Sequence, residues 1–173
     1  MKTRHLTLTA ACIALGVVLP QAFHAIPNAG SVLLPMHIPV LLCGLICSWP
    51  YGLACGVLTP ILSHLITGMP PMRYLPPMIA ELAVYGLLAG ILIRLIKTKN
   101  FTFNIYAALL IAMVGGRICY GIINALIFRV GAYSMHIWLT SAFVTSLPGI
   151  AVQLITIPAL CMALKRARLI DEN

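Results

Sequence analysis

The sequence reads as an all-α integral membrane protein, six transmembrane helices with both termini cytoplasmic. Three features carry that reading. Residues 5–72 contain no Asp, Glu, Lys or Arg. A soluble domain cannot avoid charge for so long, whereas hydrocarbon makes every charge expensive. Mean hydropathy is +1.04 and 8% of the residues are charged, so the chain as a whole is apolar. At about 20 residues per crossing, the length suits five or six helices with short connections, a single membrane domain over residues 1–173.

The first helix is expected over 6–23. Lys2 and Arg4 followed by an apolar run resemble a signal peptide, but PQAFHA (20–25) offers no good small-x-small cleavage site, so a retained helix is expected. A stretch over 24–35 with Pro27, Asn28, Gly30 and Ser31 breaks it. The second helix is expected over 36–50 and the third over 51–67. Both are short and carry prolines, Pro39 and Pro60. GMPPMR (68–73) is a break. The fourth helix, 76–96, starts with Pro76 and Pro77 in its first turn, where a missing N–H costs little. KTKN (97–100) is a tight turn before a fifth helix over 105–128. A loop over 129–136 leads to a sixth helix, 137–164, with a bend expected at Pro148 or Pro158.

Orientation follows from the basic residues. With the N-terminus inside, six helices put Lys2, Arg4, Arg94, Lys97, Lys99, Lys165, Arg166 and Arg168 inside, and leave only Arg73 and Arg129 outside. An odd number would place the basic tail outside, against the positive-inside rule. The longer loops are then all external and the internal turns minimal, as suits a protein that meets something arriving from outside.

Several functions are excluded. There is no G-x-x-x-x-G-K-[ST] phosphate loop, G-x-S-x-G or H-E-x-x-H motif, or paired carboxylates. The chain is therefore not read as an enzyme, no cofactor is expected, and any ATP hydrolysis belongs to a partner. The net charge of +8 sits at helix ends. It reads as topology and contact with anionic lipid headgroups, not as nucleic-acid binding. Cys12, Cys43, Cys47, Cys55, Cys119 and Cys161 lie in apolar stretches and read as small buried residues, with no disulfide framework. His24, His37, His64 and His136 scatter near external ends, none spaced at i, i+4 from another ligand, so no metal site is expected.

What polarity remains inside the spans is informative. Glu81 is the only acidic residue before the C-terminal tail, and Arg117 the only basic residue deep in a span. Either they neutralise each other as a structural pair, or they contact a polar ligand; both hold if the pair lines a pocket. Arg117, Tyr120 and Asn124, at i, i+3 and i+7, share one face of the fifth helix. Glu81 and Tyr85 share a face of the fourth, and the sixth contributes Ser141, Thr145, Ser146 and, deeper, Gln153. Each hydroxyl alone needs no more than an interhelical hydrogen bond. Their clustering in the last three helices favours a ligand. Tyr74, Tyr133 and Trp138 suit lipid-interface anchors or a stacking wall for a heteroaromatic ligand. Small-residue pairs four apart, Ala10/Ala14, Gly52/Gly56 and Gly86/Gly90, mark close helix contacts. Gly86/Gly90 is expected to pack within the chain and Ala10/Ala14 to face a partner.

SVLLPMHIPVLLCGLIC (31–47) and PYGLACG (50–56) resemble segments of the substrate-binding subunits, or S-components, of energy-coupling factor (ECF) transporters, the bacterial vitamin importers. Thr59-Pro60, GMPP (68–71) and SLPG (146–149) are similar to members of that group too, and the likeness covers essentially the whole chain. The resemblance implies a six-helix bundle in the bacterial plasma membrane and a vitamin or similar micronutrient bound from outside. It implies a transmembrane coupling subunit and two ATPase subunits as partners, docking on Ala10 and Ala14, and toppling of the subunit to release ligand inside. The candidate ligand-binding residues are Glu81, Tyr85, Arg117, Tyr120, Asn124, Ser146 and Gln153. They suit a small zwitterionic or amide-bearing molecule; pantothenate, a pyridine or a pyrimidine precursor all fit. Two other readings compete. A stand-alone channel or facilitator would move solute with no ATPase partner. A structural subunit would lose stability, but no binding constant, in Glu81→Gln or Arg117→Ala.

Overall fold

A computed structural model of the chain describes residues 2–23, 29–128 and 134–167. His24, Pro27, Asn28, Arg129, Tyr133 and Arg168, which figure in the reading above, lie outside the described residues. The described residues form helices and no strand. In chain order these are α1 (Lys2–Ala22), α2 (Ala29–Leu33), α3 (His37–Cys47), α4 (Trp49–Thr67), α5 (Leu75–Leu95), α6 (Phe101–Ile123), α7 (Met135–Leu139) and α8 (Leu147–Arg166). A π-helical turn, Asn124–Phe128, extends α6, and another, Thr140–Val144, extends α7.

Among the described residues, five segments are long and apolar enough to cross a membrane: Thr3–Ala22, Trp49–Thr67, Leu75–Leu95, Phe101–Leu126 and Leu147–Arg166. Their outward faces carry Leu15, Leu65, Ile111, Ile122, Leu126 and Ile155, all exposed. A surface as apolar as the core is stable only where the solvent is apolar too. The chain is a multi-pass membrane protein.

Local chemistry sets the helix boundaries. Pro50, Pro76 and Pro148 stand in the first turns of α4, α5 and α8, where no intrahelical N–H bond is lost. Gly68, left-handed at φ 72°, ends α4 and donates its N–H to the His64 carbonyl. Two expected helices differ. The second was expected over 36–50, but α3 has 11 residues, about 16 Å of rise against about 30 Å of hydrocarbon. It stops because Ser48 takes φ 96° and Pro50 opens the next helix. The sixth was expected over 137–164 with a bend at Pro148 or Pro158; the change of direction is a full break, α7 and α8 being separate helices that part at Ser146, beside Pro148. Pro158 lies inside α8 and does not interrupt it.

Being apolar all round, α3 is buried all round. Val40, Leu41 and Cys43 are completely enclosed, packed among α1, α4, α5 and α8. Its Cys43 thiol donates to the Thr9 hydroxyl of α1 across 3.6 Å. α4 and α5 approach backbone to backbone, where Gly52 and Gly56 face Gly86 and Leu82. A Cβ on Gly86 would strike the Gly52 carbonyl, and one on Gly56 would strike the Leu82 carbonyl. Gly90 lies as tightly against the Trp49 backbone. Gly86/Gly90 thus packs within the chain, as expected from its spacing.

Contacts along the bundle set the two ends. His5 stacks on Tyr51 at 5.4 Å, and the Lys165 ammonium lies 4.2 Å from the Phe101 ring centroid. The start of α1, the α3–α4 junction, the α5–α6 turn and the end of α8 therefore share one end, which gathers most of the Lys and Arg. At the other end, Gly149 of α8 meets the Leu33 backbone of α2.

Candidate functional site

The site is built from the half of the bundle opposite the basic end. On α5, helical spacing turns Glu81, Tyr85 and Ala89 to the interior. On α6 the interior face carries Met113, Gly116, Arg117 and Gly121. Gly116 admits the Tyr85 ring directly onto the α6 backbone, in space that a Cβ would need. That contact draws the two helices together and sets Glu81 opposite Arg117.

The Arg117 Nη1 atom lies 3.2 Å from Glu81 Oε1. The second carboxylate oxygen, Oε2, lies 3.7 Å from His37 Nε2, at the start of α3. The His37 ring meets the Tyr85 ring edge-on, with centroids 5.3 Å apart. Relative exposures are 2% for His37, 3% for Glu81, 1% for Tyr85 and 6% for Arg117, so the cluster has left water. An ion pair there repays its desolvation only with further hydrogen bonds.

Those bonds are missing. Both His37 ring nitrogens, the Tyr85 hydroxyl, and Nε and Nη2 of Arg117 are buried without a hydrogen-bond partner. So are both ends of the Gln153 amide, on α8. Each orphaned group costs about 1–3 kcal/mol. Native folds seldom carry several together unless something else occupies the space between them.

Trp138 frames the cluster. Its indole Nε1 donates to the Arg117 carbonyl across 3.1 Å. Gly121 makes room, since a Cβ there would strike the indole. Trp138 also packs edge-on against Phe143, with centroids 5.7 Å apart. It lines an open, mainly apolar groove of about 330 Å³ shared with Ile118, Ile122 and Met135.

The sequence-predicted residues divide. Glu81, Tyr85 and Arg117 come together. Gln153 is fully buried on α8, a helix that packs on α2, α3 and α6. Asn124 is buried but donates its amide to the Tyr120 carbonyl of its own helix, at 2.9 Å. Ser146 donates to the Ala142 carbonyl at 2.6 Å. Both polar side chains thus stabilise the π-helical turns beside the site. Tyr120 is half-buried. Ala10 and Ala14 are exposed on α1, alongside Leu6 and Val18, while Thr9, Cys12 and Gly16 face inward.

Sequence reasoning missed the part of His37 in this cluster. The only signal was a lone imidazole in a charge-free segment, and its partner lies on another helix. His64 is occupied elsewhere, its Nδ1 hydrogen-bonded with the Pro70 carbonyl at 2.8 Å. All six cysteines are free thiols. Among the described residues, no group of three His, Cys, Asp or Glu side chains is placed to hold a metal ion.

A family model described as ECF transporter, substrate-specific component, matches residues 4–161. Comparison with curated proteins and with solved structures returned no match.

Proposed function

This chain belongs to the family of ECF transporter substrate-specific components, and from that premise we propose that it captures a vitamin or related micronutrient at the bacterial plasma membrane. It hands that solute to a transmembrane coupling subunit driven by two ATPase subunits. Members of this family bind and carry substrate and are not enzymes. In this reading both termini are cytoplasmic and the chain crosses six times, the short α2–α3 segment completing one passage. The gathering of Lys and Arg at one end supports that orientation.

The observation that carries the reading is the buried group of unsatisfied polar atoms on His37, Glu81, Tyr85 and Arg117, together with the unsatisfied Gln153 amide buried on α8. Glu81 and Arg117 hold the ligand's polar groups, Tyr85 and Gln153 complete the shell, and Tyr120, Asn124 and Ser146 shape the walls. Glu81 and Arg117 also hold each other, so structural pairing and ligand contact coexist. The exposed face of α1 bearing Ala10 and Ala14 is the docking surface, since small residues let a partner helix approach closely.

The test is mass spectrometry of small molecules released from the chain purified alone, in mild detergent, from cells grown in rich medium. A stoichiometric vitamin-like compound is expected. An empty protein would overturn the reading, and movement of solute into vesicles without ATPase subunits would then favour a facilitator.

A further inference from the structure

We propose that the buried cluster takes a small monocarboxylate bearing a second, amide-like hydrogen-bonding group. The Nε–Nη2 edge of Arg117 holds the carboxylate, and Gln153 reads the second group. This rests on the binding reading above and adds the chemistry of the ligand to it.

Arg117 spends Nη1 on Glu81. What it leaves free is not arbitrary. Nε and Nη2 lie along one edge of the planar guanidinium and direct their N–H bonds in parallel, and both are buried without a partner. Two parallel donors match the two oxygens of one carboxylate. A lone carbonyl or hydroxyl would satisfy one donor and leave the other orphaned.

Gln153 is fully buried, and its amide has neither its acceptor nor its donors engaged. Its complement is a group that both donates and accepts, such as an amide, a lactam or the edge of a nitrogen heterocycle. The Tyr85 hydroxyl, also unpartnered, supplies one further contact.

Charge narrows the class. Glu81 and Arg117 cancel. A bound monoanion leaves one negative charge in excess, beside the His37 imidazole that lies 3.7 Å from Glu81. A phosphorylated dianion would leave two beside a buried carboxylate, where like charges repel strongly. A cation would face the bare edge of Arg117. The site therefore favours a carboxylic acid over its phosphate ester, and an acid over an amine.

The experiment identifies the compound released from the purified full-length chain and from Arg117→Lys and Gln153→Met. It then competes that compound against its own methyl ester and primary amide on the unmodified chain. The wild type is expected to release one compound with a carboxylic acid and an amide-like group. Arg117→Lys keeps the charge but not the paired donors, and is expected to retain at least tenfold less. Gln153→Met is expected to lose affinity severalfold. The ester and the amide are expected to compete at least tenfold more weakly than the acid. A released compound with no acid group, a phosphorylated one, or an ester that competes as well as the acid overturns this proposal and leaves the binding reading standing. A chain that releases nothing overturns both. If Arg117→Lys does not fold, the competition on the unmodified chain decides alone.

Discussion

Two faces of one helix, α5, meet their neighbours in opposite ways. From Leu82 to Gly90 it lies against α4 with backbone on backbone, and a single added methyl group at Gly86 or Gly56 has nowhere to go. On the adjoining face, Glu81 and Tyr85 meet α3 and α6 through long polar side chains, several of whose atoms find no partner. The first contact satisfies its polar groups inside each helix, so closeness costs nothing. In the second, polar atoms have been taken from water and not repaid. The difference teaches where stability and function are kept. Apolar solvent gives helices no hydrophobic reason to associate, so close packing must hold the bundle. A tightly held α4–α5 pair can then carry an unsatisfied cluster at its edge without coming apart.

The comparison breaks most directly at the seam. Gly86→Val places a branched side chain against the Gly52 backbone, and overpacking of this kind costs about 1–3 kcal/mol. Loss of a monodisperse peak in size-exclusion chromatography is expected, while Gly30→Ala, with nothing within 4 Å of its added Cβ, elutes unchanged. Normal elution of Gly86→Val would show that the seam is not what holds the fold.

At the cluster, Arg117→Met strands Glu81 as a buried unpaired charge, at a cost of about 3–5 kcal/mol. Adding Glu81→Gln to that variant is expected to restore most of the stability, read from unfolding in detergent, but none of the ligand retention. If restoring the fold also restores the ligand, the pair is structural only.

Smaller effects sharpen the contrast. Trp138→Phe removes the donor to the Arg117 carbonyl and is expected to cost about 1 kcal/mol, with ligand affinity lowered severalfold as Arg117 loses its support. Tyr85→Phe keeps the ring against Gly116 and deletes an orphaned hydroxyl. Its stability is expected to stay within about 1 kcal/mol of the wild type or to rise, and titration with the released compound should show the loss. Ala10→Trp is expected to shift stability by no more than about 0.5 kcal/mol, as on any open surface. Ligand retention should be unchanged, and pull-down of the coupling subunit abolished.

Much of this was legible before any coordinates. The charge-free run over 5–72 announces a lipid solvent, because desolvating a charge is costly wherever it occurs in the chain. Pro76 and Pro77 mark a helix start through a local property, a missing N–H. Gly52/Gly56 and Gly86/Gly90 mark close contacts because small residues at helical spacing make a flat face. Glu81 and Arg117 stand out as rare charges inside spans and do pair. All these signals depend on a residue and its near neighbours along the chain. Helical periodicity tells which residues share a face, but not which face of another helix they meet or at what height. Tertiary packing alone decided that His37 of α3 stands beside Glu81 and that the Trp138 indole reaches the Arg117 carbonyl. It also decided that Asn124 and Ser146 turn back to their own backbone. The length of α3 belongs with these, since only the surrounding helices make a buried 11-residue segment tenable.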